Sequence, residues 1–232
     1  FDLTKSEYAK LVRFSALDEA DEATNTDLFD IEGHGFLSIV PCKVEKSNSF
    51  KLLKLKKGSR KVDIFTYRSS SKFAIPDFIG IKDDVAYFKI ERMKGAMAKT
   101  VIVNILGVDV NTWKKVFETN GEELGEYIFV PSSLVDDPAY KSIKFVGTYY
   151  RNNDNVFKSK SQGLALWELK PDGTLLREKY KGWSSEFKKF LNFTDKNRSK
   201  EVGFVRIHKT LSLDDGSIIA VGEGYKRVVD GL

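Results

Sequence analysis

The segment Gly163-Leu164-Ala165-Leu166-Trp167-Glu168-Leu169 runs into the turn sequence Lys170-Pro171-Asp172-Gly173, and residues 174–180 then alternate and carry charge. Pro and Gly in a short polar stretch favour a tight turn, so the two flanking runs are predicted to form a β-hairpin. In the first run both alternating sets of residues are largely apolar, which predicts a strand covered on both faces. The second run is typical of an outer strand with one face in solvent.

This hairpin pattern recurs along the chain. Further strand pairs are predicted at 51–55 with 61–67, 78–81 with 85–90, and 205–213 with 217–225. Residues 101–106 and 218–221 are again apolar in both alternating sets, so these strands are also predicted to be covered on both faces. Apolar strand-like segments in comparable positions recur about every 50 to 70 residues, at 35–40, 85–90, 144–149 and 217–222.

We therefore predict an all-β protein of repeated antiparallel hairpins, a β-propeller or part of one. A propeller blade requires inner strands that are buried on both faces and an outer strand that is partly exposed to solvent, because each blade packs between two neighbouring blades. An ordinary β-sandwich is the alternative. The pattern supplies roughly three to four blade units, whereas closed propellers have about four to eight. The chain is thus either part of a longer propeller or contains strands in segments interpreted as loops.

Two short peripheral helices are predicted beside the strands. Residues 4–7 match a capping box, and apolar residues follow at helical spacing as far as residue 12. Ser184 or Ser185 would begin a second helix, with apolar residues on one face up to residue 191. The domain prediction is a single propeller-like domain over residues 1–232, complete or incomplete, with a helical and polar segment at 1–30.

The composition of the 232 residues argues against several classes of protein. The net charge is +5, but the 33 acidic and 38 basic residues are interspersed, so a solvated basic surface is favoured over nucleic-acid binding. No apolar run approaches the roughly 20 residues of a transmembrane helix. Cys42 is the only cysteine, which excludes an intrachain disulfide. The chain begins with Phe1, as expected for a mature exported form, a fragment or part of a longer chain.

Four segments of the C-terminal half, 145–150, 163–169, 172–174 and 213–223, share a recognisable pattern of apolar runs and Asp-Gly turns. In these segments the chain resembles exported propeller-like proteins of unknown function from Bacteroidota. The resemblance covers roughly residues 140–228 and, more faintly, 36–67. It implies a signal peptide removed from the N-terminus and a location in the periplasm or at the cell surface. It implies no catalytic residues.

No catalytic, cofactor or metal site is predicted from the residues. The carboxylate pairs at 83–84, 136–137 and 214–215 each stand beside a turn signal, where Asp binds the local backbone. His34 and His208 are far apart, and His208 is interpreted as structural. The chain contains no Gly-x-Ser-x-Gly motif, phosphate loop or dinucleotide fingerprint. The candidate binding residues are instead the aromatic residues Trp183, Tyr150 and Tyr225, together with His34, whereas Trp167 is predicted to lie in the core.

The functional prediction is an exported, non-catalytic module that binds a protein partner in an outer-membrane or periplasmic assembly. The first alternative is a carbohydrate-binding or glycoside-cleaving propeller, and the second is a structural domain of a larger chain. Nucleic acid is not expected as a partner, and the protein is not expected to span a membrane.

Overall fold

The computed structural model describes residues 27–225, with the exception of residues 32, 60, 96–97, 99, 122–125, 136–140, 158 and 185–203. These described residues form strands and turns and contain no helix. The prediction of an all-β protein built from antiparallel hairpins is confirmed. The two predicted helices receive no support: residues 4–12 and 185–191 lie outside the described residues. At the end of the predicted helical and polar segment, Leu28–Asp30 form a strand.

Fourteen strands occur in the described part of the chain. They are β1 Leu28–Asp30, β2 Phe36–Val44, β3 Ser47–Leu55, β4 Val62–Thr66, β5 Phe73–Lys82, β6 Val85–Met93, β7 Ile102–Asp109, β8 Lys114–Glu118, β9 Tyr127–Val135, β10 Ile143–Arg151, β11 Gly163–Leu169, β12 Leu175–Gly182, β13 Phe204–Ser212 and β14 Ile218–Tyr225.

The strands fall into successive antiparallel groups. The first group is β1–β4, the second β5–β8 and the third β9–β12, and within each group every strand pairs with the next along the chain. A single parallel bridge between Asn48 and Phe73 joins the first group to the second. The hairpin β13–β14 forms a separate two-stranded sheet. The sequence predicted the hairpins, but a closed propeller is not seen in this part of the chain.

The second group is packed on both faces. Along β6, Ala86, Phe88 and Ile90 point to one side and join a buried cluster with residues of the first group. Tyr87 points to the other side, where it packs with Phe145 and other residues of the third group. A strand that is apolar in both alternating sets must be shielded from water on both faces. Here the first group packs on one face of the second group, and the third group packs on the other.

The predicted covering of β14 is wrong. Its residues 218–221 were expected to be dry on both faces, yet the side chains of Ile219 and Val221 are 46% and 48% exposed. The prediction for β7 holds, because Val103, Ile105 and Leu106 are buried. Ile219 and Val221 are therefore not packed inside the described part of the chain.

Two Asp-Gly turns have matching hydrogen bonds but different surroundings. Gly173 and Gly216 both have positive φ, at 86° and 80°, and each N–H donates to the carbonyl three residues earlier. In each turn an Asp carboxylate accepts a backbone N–H two residues on, which holds the pKa of Asp172 and of Asp215 below the ordinary value. The interpretation of the 214–215 pair as turn chemistry is thus supported by the geometry.

We expect Gly173→Ala to destabilise the protein more than Gly216→Ala does. A Cβ at Gly173 would lie 2.3 Å from Phe117 Cδ2, whereas a Cβ at Gly216 meets open space. Both changes cost about 1 kcal/mol of backbone strain, and overpacking against Phe117 adds about 1–3 kcal/mol at Gly173 only. Urea unfolding of both variants measures the difference. Equal free energies of unfolding would contradict the packing of this turn on β8.

Candidate functional site

A cavity lies where the second group, the third group and the β13–β14 hairpin meet. Its volume is about 450 Å³, within the range of about 300–1,000 Å³ found for small-molecule sites. Strands β5 and β6 form one wall, β9 and β10 form a second, and the hairpin forms the third. The first strands of successive groups, β5, β9 and β13, are thus brought together around one space.

The wall formed by β5 and β6 carries three charged side chains. Asp77 and Lys89 are directly opposite in the antiparallel pairing, and Glu91 follows Lys89 on the same face of β6. The Lys89 ammonium lies 3.2 Å from Asp77 Oδ2 and 3.1 Å from Glu91 Oε1. Burial lowers the pKa of Lys89, but the two carboxylates outweigh burial and hold that pKa above its ordinary value. Lys89 is therefore a fixed cation between two acceptors.

The other two walls combine hydroxyl groups, rings and a second cation. Thr148 and Tyr150 of β10 line the cavity from buried positions, and Tyr225 and the exposed residues Arg206 and His208 line it from the hairpin. His208 Nε2 lies 3.0 Å from Glu223 Oε1 on the neighbouring strand. The space is bounded by hydrogen-bond donors, acceptors and aromatic surface from three parts of the chain.

The four candidate binding residues fall into two classes. Tyr150 and Tyr225 both line the cavity, although they are 75 positions apart in sequence. Trp183 lies just after β12, where its indole N–H donates to the Ser161 carbonyl at 3.1 Å. His34 lies by the β5–β6 turn, with Nε2 3.1 Å from Asp84 Oδ1. Neither Trp183 nor His34 lines the cavity, so the structure does not place the four at one site.

The sequence interpretation missed the charged residues of the cavity. Asp77, Lys89, Glu91 and Arg206 were not among the candidate binding residues. A signal was present, since Lys89 and Glu91 alternate along β6 with Phe88 and Ile90, which are apolar and buried. Charged residues at alternate positions of a strand in a protein covered on both faces indicate a polar interior space.

The β13–β14 hairpin has one attached face and one exposed face. On the attached side Ile207 and Thr210 are buried, and the Thr210 hydroxyl donates to the Leu134 carbonyl of β9 at 3.0 Å. The exposed side carries four large apolar side chains that are 43% to 48% exposed. We call these the hairpin face: Leu211, Leu213, Ile219 and Val221. Leu211 and Ile219 are direct cross-strand partners and form its centre.

The edge strand β14 carries fewer charges than the outer strands β8 and β12. In the described part of the chain β14 pairs only with β13, so its second edge has no described strand beside it. The outer strands β8 and β12 are rich in Lys, Arg and Glu, residues that discourage pairing with another chain. Within β14, Glu223 is the one charged residue. An edge strand with few charges next to an apolar face is typical of a strand that receives a partner.

The described residues contain no group of three or more His, Cys, Asp and Glu side chains placed to hold a metal ion. Within the same part of the chain, no helix is long and apolar enough to cross a bilayer.

A family model described as a family of unknown function, DUF6770, matches residues 2–232. The chain belongs to the DUF6770 family. No curated protein matches it. One solved structure that does match is a crystal structure of a candidate glycoside hydrolase from Parabacteroides distasonis, with 6% identity, 85% coverage of each chain and a TM-score of 0.25. A TM-score of that size supports no statement about the fold or activity of this DUF6770 member.

Proposed function

We propose that this chain is an exported, non-catalytic binding module and that its protein partner docks on the β13–β14 hairpin. The observation that carries the proposal is the hairpin face, which stands beside an edge strand with a single charge. The partner adds an extended strand to the second edge of β14, so that backbone hydrogen bonds supply affinity and side-chain contacts supply specificity.

The chemistry of the hairpin face defines the partner. An added strand presents every second side chain to one face, so apolar residues at alternate positions would cover Ile219 and Val221. Covering four half-exposed aliphatic side chains contributes about 4 kcal/mol in total, at about 1 kcal/mol each. Lys209 pairs with Val221 across the hairpin and is exposed. A carboxylate on the partner that reaches across β14 would form an ion pair with this lysine.

We further propose that the strand groups are blades of a β-propeller, complete or partial. Support comes from the simple up-and-down order within β5–β8 and within β9–β12, and from the apolar layers on both faces of the second group. The shared cavity of β5, β9 and β13 supports it as well, because the first strands of propeller blades surround the central channel.

Export to the periplasm or cell surface, within an outer-membrane assembly, is part of the same proposal. Its support is the resemblance of residues 140–228 to exported propeller-like proteins. Fractionation of the native host tests it, because the protein is expected in the periplasmic or membrane fraction and recovery in the cytosol would contradict export.

Capture from the native host tests the docking surface. Tagged wild type is expected to retain a stoichiometric protein partner from the membrane fraction. The double variant Leu211→Asp/Ile219→Asp places two carboxylates on the hairpin face and is expected to retain at least about tenfold less. The matched control is Val116→Asp/Leu176→Asp on β8 and β12, whose side chains are 45% and 50% exposed. Mass spectrometry of the eluates gives the measurement.

Three outcomes would overturn the proposal. Capture by the hairpin variant at the wild-type level would show that the partner binds elsewhere, and equal loss in the control would show a general effect of surface charge. Light scattering of purified wild type distinguishes a second copy as the occupant. Self-association that is lost in the hairpin variant would replace the partner protein with another copy of this chain.

A further inference from the structure

We infer that the cavity between β5–β6, β9–β10 and β13–β14 binds a neutral polyhydroxylated ligand of the size of a mono- or disaccharide. This site is separate from the hairpin face and adds a small-molecule ligand to the proposed partner binding. Its volume of about 450 Å³ is that of a small-molecule site, and it is bounded by three strand groups rather than by one loop.

The charges around the cavity select against ionic ligands. The formal charges of Asp77 and Glu91 are balanced by those of Lys89 and Arg206, and His208 contacts Glu223. An anion would meet the two carboxylates and a cation would meet the ammonium and the guanidinium. A ligand without net charge avoids both costs, provided that it can donate and accept hydrogen bonds.

A polyol satisfies that condition. Each hydroxyl group donates one hydrogen bond and accepts up to two. The carboxylates of Asp77 and Glu91 accept, the Arg206 guanidinium donates, and the Thr148 hydroxyl does either. The half-buried ring of Tyr225 adds aromatic surface on which the C–H face of a sugar ring packs, and the buried Tyr150 forms part of the wall behind it. Charged groups make hydrogen bonds roughly twice as strong as neutral ones, so this wall orients the ligand.

The geometry favours binding over cleavage. Glycoside hydrolysis places the sugar between two carboxyl groups, one on each side of the scissile bond. Here the Lys89 ammonium occupies the space between Asp77 and Glu91 and contacts both. The ligand therefore contacts the outer side of the Asp77, Lys89 and Glu91 side chains. The protein binds the ligand without cleaving it.

Calorimetric titration with named probes tests the inference. The neutral probes are glucose, galactose, mannose, N-acetylglucosamine, cellobiose, maltose and lactose, each up to about 10 mM. At least one is expected to bind the wild type with a dissociation constant below about 1 mM. Glucuronate and protonated glucosamine are the charged comparison probes and are expected to bind at least about fivefold more weakly. No saturable binding of any neutral probe would overturn the inference.

Two charge variants provide a readout that a structural role would not change. Arg206→Met leaves the cavity with net negative charge and is expected to weaken the neutral probe about tenfold while improving glucosamine relative to glucuronate. Asp77→Asn is expected to shift that preference toward glucuronate. Arg177→Met, on the exposed strand β12, is the matched control and leaves binding unchanged. Binding of the probe that is unaffected by both cavity variants would place it elsewhere and overturn the assignment.

The hairpin variant separates this inference from the proposed function. Leu211→Asp/Ile219→Asp changes the exposed side of the hairpin and is expected to leave sugar affinity unchanged. Loss of sugar binding with retained partner capture would refute only the cavity assignment, and loss of partner capture with retained sugar binding would leave it intact.

Discussion

Phe145→Ala is expected to lower the free energy of unfolding by about 3–5 kcal/mol. The Phe145 side chain is completely buried, and its ring meets Tyr87 edge-on with centroids 5.5 Å apart. Tyr87 belongs to the second strand group and Phe145 to the third, so the pair joins two sheets. Removal of the ring leaves a cavity at the layer that holds those sheets together, and partial collapse recovers only part of the loss.

Urea denaturation followed by tryptophan fluorescence measures this change. Leu176→Ala is the control, because that side chain is 50% exposed on β12 and its truncation is expected to change stability by less than about 0.5 kcal/mol. A loss below about 1 kcal/mol for Phe145→Ala would contradict the packing of the second group on the third.

Glu118→Ala is expected to lower the free energy of unfolding by about 3 kcal/mol. One oxygen of the Glu118 carboxylate accepts hydrogen bonds from the Tyr67 hydroxyl at 2.5 Å and from Asn104 Nδ2 at 2.8 Å. Asn104 in turn accepts from Arg92 at 3.4 Å. Tyr67, Arg92 and Asn104 are all buried, and donors left without an acceptor there lose their full solvation. Glu118→Gln keeps an acceptor oxygen and is expected to cost about 1 kcal/mol.

The pH dependence of this network has a defined sign. Burial raises the pKa of Tyr67, and the hydrogen bond and charge of Glu118 raise it further. The folded protein thus favours the neutral phenol, so the resulting stability is present below the ordinary tyrosine pKa of about 10 and is lost as the pH rises above it. Tyr67→Phe removes the titrating group and should make that loss shallower than in the wild type. Equal pH profiles, or equal stability of Glu118→Ala and Glu118→Gln, would contradict the network.

Much of the local strand structure is readable from the sequence. The predicted segment 163–169 coincides with β11 Gly163–Leu169. The predicted segment 205–213 is shifted by one residue at both ends from β13, and 217–225 begins one residue before β14. These strands are bounded by Asp-Gly turns, in which a positive φ and a side-chain hydrogen bond fix the reversal. Strong turn chemistry defines both the end of one strand and the start of the next.

Strand β9 was not predicted, because a proline in its sequence suggested a loop. Its sequence contains Pro131 followed by two serines, which indicates a loop. Pro131 is paired with Gly147 at an irregularity of the β9–β10 register, and β9 is the edge strand of its sheet. A proline is tolerated at such a position because no further strand requires its missing N–H.

The candidate site could be predicted only in part. Tyr150 and Tyr225 were identified as aromatic binding residues, but their meeting depends on the contact between the third group and the hairpin. Lys54 illustrates the same limit. It lies in strand β3, and its side chain is buried and lies over the Trp113 ring at 5.3 Å. Contacts between segments that are distant in sequence decide which charged side chains point into the protein. The periodicity of a single strand carries no information about those contacts.

Site-specific photo-crosslinking in the native host tests the central claim, that the hairpin face is a partner-binding surface. The photoreactive residue p-benzoylphenylalanine is placed at Val221 on the hairpin face or at Leu176 on β12, positions of nearly equal exposure. Irradiation is expected to give a discrete adduct with a second protein from position 221 and none from position 176. No adduct from position 221, or the same adducts from both positions, would contradict the claim.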